Sequence, residues 1–417
     1  MLRSRTAALL AVPALALVGG ATGAPGASLS ISDVTAAEGS GGTTGFAFTV
    51  QVAGSLKGSA TVQYRTADGT AIAPGDYAAT SGQLSFDRRN KTRTVTVQVV
   101  ADTTEEPNET FQVLLSNAVG ATIADGTGVG TILNDDTAAS PDPKIAAAGD
   151  ISCDPANANY NGGQGSASEC RQLATSNQLV GANYAAVLAL GDNQYEDGAY
   201  TKYTTAYDPS WGRVRSSTKP VPGNHEYNTA NAAGYYQYFG ALAGDPAKGY
   251  YSFDIGTWHL VALNSNCSVV SCAAGSVQEQ WLRADLAAHA NACTLAYWHH
   301  PRFSSGNHGN NTSVAPLYQA LYDGNADLVL GGHDHDYERF APQDPSAVAD
   351  AARGIRELVV GTGGRSHYAF GTIRANSQVR DSTSFGILEL TLHPTGYDWR
   401  FLPAVGSFTD SGSGACH

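Results

Sequence analysis

Charge is scarce in this chain, and basic charge is scarcest. Charged side chains make up 15% of its 417 residues, with 24 Lys and Arg against 37 Asp and Glu. The formal net charge of −13 argues against binding to a nucleic-acid scaffold, which needs a basic footprint. An anionic substrate would have to be drawn by bound cations instead. Long apolar runs are also missing. Beyond the first residues nothing approaches the roughly 20 residues of a membrane helix, so no membrane span is expected. There is no CxxC pair and no zinc-ribbon spacing. A GxSxG elbow and a P-loop are absent too, which removes the obvious serine-hydrolase and nucleotide-binding readings.

Glycine (47) and tyrosine (20) are plentiful and hydrophobic residues reach 42%. This mixture suits a loop-rich, β-containing extracellular protein of two or three domains. Arg3 and Arg5 precede an apolar run from Ala7 to Val18, and small residues continue to Ala27. That is the layout of a secretory signal peptide, with Ala24 and Ala27 as candidate cleavage points, and the mature chain is expected to be secreted. A buried N-terminal helix is the alternative. Six cysteines, all after position 150, fit an oxidising compartment and read as disulfides. Cys267 and Cys272 can close one loop. For the other four, Cys153 with Cys170 and Cys293 with Cys416 is the preferred pairing.

Composition changes at 134–143. Before it, alternating stretches at Gly45–Val52, Ala60–Thr66, Gln83–Phe86, Thr92–Val100 and Thr110–Ser116 are separated by Gly, Asn and Asp clusters, the pattern of an all-β sandwich. After it, short apolar runs at Ala186–Leu190, Leu295–Trp298 and Leu328–Leu330 end at Gly, Asp or His. Between the first two of these, Val277–Ala290 has helical periodicity, with Val277, Trp281, Leu282 and Leu286 on one face. The alternation indicates an α/β domain with polar residues at strand ends, where such domains bind ligands.

Acidic residues recur at the ends of the expected sandwich: Glu38, Asp76, Asp102, Glu106, Asp135 and Asp136. Converging carboxylates are what Ca²⁺ requires, although acidic loops are commonly just solvated. The segments AAEGSGG (36–42), YRTADGTAIAPGDY (64–77), ADTTEEPNETFQVLLSN (101–117) and ILNDD (132–136) resemble a Calx-β domain over nearly its full length. The resemblance implies an immunoglobulin-like sandwich, with those six carboxylates as the positions for Ca²⁺. It also allows contact with surfaces or glycans.

Five segments of the second part carry the chemistry: GDIS (149–152), GDNQY (191–195), GNHE (223–226), WHHP (298–301) and GGHDHDYER (331–339). Each follows a short β-type run. Alone, an Asp after Gly is commonly a turn former, and a loop His is commonly a surface residue. Together the five strand ends offer two Asp, an Asn and several His. Two cations about 3.5–4 Å apart on such a set can clamp a phosphoryl group and acidify water.

The ordered set GD, GDxxY, GNHE, His before proline, and GHxH resembles the calcineurin-like metallophosphoesterases, above all the purple acid phosphatases, over about Lys144 to Leu402. The resemblance implies a four-layer α/β/β/α sandwich. It implies that Asp150, Asp192, Tyr195 and His335 hold a first metal, with Asp192 bridging, and that Asn224, His299 and His333 hold a second. Tyr195 would mark Fe(III), paired with Fe(II), Zn or Mn; a packing tyrosine is the alternative. His300 adjoins His299 and either could be the ligand; the family pattern, with one residue before the proline, favours His299. His225 and His308 would be the catalytic, substrate-binding histidines, although His308 could equally be a surface-loop residue. Ser152 stands where the family usually has Gly, and Ala296 where plant-type members often have Val. His259 and His289 read as structural, the GTGG segment (361–364) as a tight turn, and His367 as a marginal pocket residue.

The expected organisation is a signal peptide (1–27), a Calx-β-like sandwich (28–137), a linker (138–143) and a catalytic domain (144–417). The expected activity is hydrolysis of phosphate monoesters of small molecules by a metal-activated hydroxide, as in acid phosphatases. Phosphodiesterase or nucleotidase activity on the same site is the enzymatic alternative. A non-catalytic, calcium-dependent surface-binding protein is the alternative of another class.

Overall fold

The computed structural model describes residues 26–136, 141–289 and 293–417. The expected signal peptide lies outside the described residues up to position 25, as do linker positions 138–140. The chain forms two compact units, Met1–Ser140 and Pro141–His417. No helix among the described residues is long and apolar enough to cross a membrane.

The first unit is all β. Its strands are β1 (Ser28–Ile31), β2 (Val34–Ala37), β3 (Gly42–Ala53), β4 (Ala60–Asp68), β5 (Ser81–Phe86), β6 (Thr92–Ala101), β7 (Glu109–Val119), β8 (Thr122–Ile123) and β9 (Thr127–Leu133). They form two sheets, ordered β6-β3-β1-β8 and β2-β9-β7-β4-β5. Strict alternation explains the sandwich: Phe46, Phe48, Val50 and Val52 of β3 and Val95, Val97 and Val99 of β6 point inward, where Phe111 and Val113 of β7 meet them. Four strands fall outside the sequence reading. Three are too short to alternate visibly, and β9 is interrupted by glycine. At Gly130 a Cβ would sit 2.5 Å from the Phe111 ring, so close packing, not a turn, requires the glycine.

The second unit carries two more sheets. One is ordered β12-β11-β10-β20-β21-β22, from Thr218–Val221, Ala186–Leu190, Lys144–Ala148, Phe385–His393, Gly396–Val405 and Ser411–Ala415. The other is ordered β13-β14-β15-β16-β18-β17-β19, from Tyr251–Ile255, Trp258–Ala262, Cys293–Tyr297, Leu328–Gly331, Arg356–Val360, Tyr337–Phe340 and Ser377–Asp381. Inner faces of both sheets share one core, with Ile145, Leu188 and Leu388 from the first and Leu260, Leu295, Leu330 and Leu358 from the second. The outer face of the second sheet packs Val261, Ala296 and Val329 against Leu282 and Leu286 of helix Val277–Ala288 and Leu317 and Leu321 of helix Ala315–Asp323. Helix Gln172–Asn177 lies against β20 and β21 on the other side. This is the expected α/β/β/α order. One detail is corrected: Val277 is 78% exposed, because it occupies the first turn, beyond the edge of the apolar stripe. Disulfides join Cys153–Cys170, Cys267–Cys272 and Cys293–Cys416.

Candidate metal centre

The parallel strands β10, β11 and β12 of one sheet and β15, β16 and β18 of the other release their loops at carboxyl ends, and all five motifs lie there. Asp150, Asp192 and His333 take left-handed backbone angles, with φ of 59°, 46° and 71°. Non-glycine residues hold such angles only where the surroundings impose them. The first two motif loops extend the β10–β11 pairing: Asp150 N donates to Gly191 O at 3.1 Å, Ile151 N to Asp192 O at 3.0 Å and Ser152 N to Asn193 O at 3.1 Å. Ser152 thus uses its backbone, which accommodates its departure from the family glycine. At Gly223 a Cβ would lie 2.1 Å from Asp192 Oδ1, so only glycine lets the GNHE loop close over the second aspartate. The GTGG segment is not an isolated turn. It runs along the first motif, with Gly363 N donating to Gly149 O and Arg365 N to Asp150 O, both at 2.9 Å.

All seven expected ligands converge. Tyr195 Oη lies 2.9 Å from Asp150 Oδ1, 3.2 Å from Asp192 Oδ2 and 3.0 Å from His335 Nε2. Asp192 Oδ2 lies 3.2 Å from His299 Nε2. That nitrogen is 3.2 Å from Asn224 Oδ1 and 3.2 Å from His333 Nδ1. Two groups of oxygen and nitrogen donors therefore share one carboxylate. Asp150, Asp192, Tyr195, His299 and His335 are all buried. Asp150, Asp192 and His299 form one set of candidate ligands, and His299, His300 and His333 another.

The electrostatics point the same way. Burial resists the charge on His299, but Asp192 overrides it and raises the imidazole to about 9. Burial likewise opposes ionisation of Asp192, and His299 and His225 reverse this, holding it well below the usual carboxylate range. Burial, Asp150 and Asp192 push the Tyr195 phenol well up. With protein groups alone, His299 and Tyr195 keep their protons beside Asp192. Cations would displace those protons. The donor set, with hard oxygens and imidazoles and no sulfur, fits a pair of such ions.

Two of the expected rim residues are present. The His225 ring packs at a tilt against Tyr195, centroids 4.3 Å apart, and its Nδ1 lies 2.7 Å from Glu196 O. The His308 ring packs at a tilt against His333, centroids 4.1 Å apart, with Nδ1 3.0 Å from Asp334 Oδ1. His308 therefore belongs to the site and not to a free surface loop. His299 takes the central place, while His300 turns its Nδ1 to Ser265 Oγ at 2.8 Å. His367 packs on Phe385 at 3.9 Å.

Four contributors escaped the sequence reading. Asp334 holds His308. Tyr368 stacks on His335 at 3.9 Å. Arg365 lies over Tyr195. Glu226, the last residue of GNHE, is buried and accepts from Asn193 N, Gly223 N and Tyr203 Oη at 2.9, 2.7 and 2.9 Å. It pins the second motif loop to the third. Only Glu226 and Asp334 carried a signal, as acidic residues inside motifs already singled out.

In the first unit, the Glu38 carboxyl is buried and raised, by burial first and then by Asp102, Glu106, Asp136 and Asp135. Those five carboxylates form one group. Asp76 accepts from Ile72 N at 2.6 Å and is linked to the group through Glu109, which burial, Asp76 and Glu106 raise.

Comparison with known proteins gives concordant matches. Residues 27–137 match the Calx-beta domain and residues 143–337 the calcineurin-like phosphoesterase family. Purple acid phosphatase 15 of Arabidopsis thaliana is 31% identical over 148 residues, covering 31% of this chain and 27% of that protein. An uncharacterised Mycobacterium tuberculosis protein is 28% identical over 219 residues, 42% of this chain and 41% of its own length. The chain thus spans less than half the length of these relatives. The purple acid phosphatase PPD1 from yellow lupin (Lupinus luteus) seeds shares the fold, with a TM-score of 0.55 and 15% identity over 92% of this chain and 73% of that one.

Proposed function

Because the chain joins a Calx-beta domain to a calcineurin-like phosphoesterase domain similar to purple acid phosphatases, we propose that it is a secreted enzyme that hydrolyses phosphate monoesters. The observation that carries this reading is the pair of donor groups sharing Asp192, with two histidines at their rim. Asp150, Asp192, Tyr195 and His335 would hold one cation, and Asp192, Asn224, His299 and His333 the other. The phenol of Tyr195 favours Fe(III) in the first place, with Fe(II), Zn or Mn in the second. Such a pair supplies Lewis-acid polarisation of the phosphoryl group and acidification of water. The protein's own side chains supply orientation and protons. Glu196 O and Asp334 fix the Nδ1 atoms of His225 and His308, which leaves Nε2 of His308 for the substrate and sets Nε2 of His225 beside the shared carboxylate, 3.8 Å from Asp192 Oδ2. His225 can protonate a leaving oxygen and His308 can bind a phosphoryl oxygen.

The N-terminal carboxylates support Ca²⁺ binding by the first domain, and contact with a surface or glycan is the role we assign to that domain. The signal-like N-terminus and three disulfides support export. No nucleic-acid partner is proposed, given the net charge.

The test is kcat/KM for a chromogenic phosphomonoester against its matching diester, on metal-replete protein. Monoester preference is expected, and Asp192→Asn should lose both metal and activity. A diester preference moves the function to phosphodiesterase. Absence of turnover with any ester favours a non-catalytic, calcium-dependent binding protein.

A further inference from the structure

Two consecutive histidines follow β15, and only His299 approaches the shared carboxylate of Asp192. The ring of His300 lies nearly perpendicular to that of His299, with centroids 4.9 Å apart, and 4.5 Å from the ring of His333. A ring nitrogen from each of these three residues lies within 4.8 Å of the other two. Yet His300 Nδ1 is already engaged, 2.8 Å from Ser265 Oγ, and the same oxygen accepts the His300 backbone N–H at 3.0 Å. That N–H fills one of the oxygen's two lone pairs, and among the described residues His300 Nδ1 is the one acceptor in reach of the Ser265 hydroxyl proton, so the hydroxyl donates to Nδ1. A neutral imidazole with an accepting Nδ1 carries its proton on Nε2.

Ser265 is itself immobilised. It is buried between Asn264, whose N–H donates to Gln278 Oε1 at 2.8 Å, and Asn266, whose amide donates to Pro222 O at 3.1 Å. The Cys267–Cys272 disulfide closes the loop that follows. His300 therefore shares with His225 and His308 an Nδ1 tied to a protein oxygen, and its own Nε2 has no hydrogen-bond partner among the described residues.

We propose that His300 is a third substrate-contacting residue, donating its Nε2–H to a phosphoryl oxygen of the bound ester and of the phosphate product, with Ser265 as the positioning residue that sets its tautomer. The proposal rests on the phosphoesterase reading. It assigns the second histidine of WHHP to the anion and not to a metal. A monoester dianion, with three non-bridging oxygens, then meets three imidazoles.

The experiment compares wild type with His300→Ala, His300→Gln and Ser265→Ala for three quantities: metal content by elemental analysis, orthophosphate affinity by calorimetry, and kcat/KM on a chromogenic monoester. All three variants should keep the wild-type metal content. His300→Ala should bind orthophosphate roughly 10–100-fold more weakly, as expected for loss of one hydrogen bond to a charged group, and lose kcat/KM to a similar extent. The Gln side chain still offers an N–H donor, so that variant should recover much of the affinity. Ser265→Ala should fall between Ala and wild type. Loss of metal from His300→Ala and His300→Gln would make His300 a ligand and overturn the proposal. Unchanged phosphate affinity and turnover in His300→Ala would overturn it as well. Should the Ala variant fail to fold, the Gln and Ser265 variants decide on the same readouts. A wild type that takes up metal but neither binds phosphate nor hydrolyses esters removes the phosphoesterase reading itself, and this proposal with it.

Discussion

The guanidinium carbon of Arg365 lies 5.2 Å from the centroid of the Tyr195 ring. Two carboxylates hold it there, Glu169 Oε2 at 2.7 Å and Glu196 Oε1 at 2.9 Å. Glu169 adjoins the disulfide-bonded Cys170, and the Glu196 carbonyl is the group that fixes His225. One arginine thus spans the first motif loop, the expected metal-binding tyrosine and a rim histidine.

A cation over the ring favours the phenolate form of Tyr195. Arg365→Gln is therefore expected to lower kcat by about 3–30-fold, the range of a partly desolvated cation–π contact, with a smaller change in KM. In iron-loaded protein the visible phenolate-to-iron absorption should shift as well. An altered kcat with an unmoved absorption band would assign Arg365 to His225 alone.

His259 on β14 is buried with both ring nitrogens facing carboxylates, Asp254 Oδ1 and Asp285 Oδ2, each at 2.8 Å. His289 stacks on it at 3.8 Å. Burial opposes its charge, but Asp285 and Asp254 win and raise its pKa, while Asp285 is lowered against its own burial by His259 and Ser252. A raised histidine contributes stability below its unfolded value of about 6.5 that fades as pH rises through the folded one. A lowered aspartate contributes above about 3.9 and fades as pH falls through its folded value. Both contributions coexist from about pH 4 to 6.5. Thermal melts of His259→Gln should show the largest loss relative to wild type in that window, shrinking towards pH 9. A pH-independent loss would mean that only packing was removed.

Cys293 opens β15 and Cys416 follows β22, 123 residues apart in sequence. The link ties the edge strand Ser411–Ala415 to the central sheet that carries His299. Closing so long a loop restricts the unfolded chain strongly, by roughly 3–5 kcal/mol. The Cys293→Ala, Cys416→Ala double variant should lose about that much in denaturant unfolding of the second unit. A loss under 1 kcal/mol would show that the reduced chain already holds these ends together.

The candidate metal centre was legible because its expected ligands lie near strand ends and next to glycine, and both conditions leave marks in the sequence. Gly223 beside Asn224 is such a mark, since the approach of Asp192 forbids any side chain there. The supporting residues left weaker marks. Arg365 reaches Glu169 and Glu196 across 196 and 169 positions of chain, a relationship with no local pattern. Tyr368 is one tyrosine among twenty. In the sandwich, β3 and β6 alternate plainly and were read to within a few residues. The pairing of β2 with β9 involves short or glycine-bearing strands whose period cannot be seen. Position in the sequence also misled at Val277, where helical spacing alone does not say where the neighbouring sheet ends.

The buried Glu38 carboxyl gives the N-terminal sandwich a testable dependence on calcium. Its pKa is raised by burial and by four neighbouring carboxylates, so in the absence of a cation folding makes its ionisation less favourable than in the unfolded chain. A raised pKa means stability present below the unfolded value, about 4.3, and lost as pH rises through the folded one. The metal-free sandwich should therefore weaken from acid towards neutral pH. Calcium reverses the sign, because it binds the ionised carboxylates and stabilises by mass action, about 2.7 kcal/mol at a concentration 100-fold above Kd. Calorimetry of the full chain at pH 7 should show one transition rising by several degrees in millimolar Ca²⁺ and falling on addition of a calcium-selective chelator. In Glu38→Gln that transition should be higher than wild type without calcium, since a repelled charge is gone, and should respond little to the ion. A wild-type transition indifferent to calcium at neutral pH would leave the five carboxylates as a solvated acidic rim.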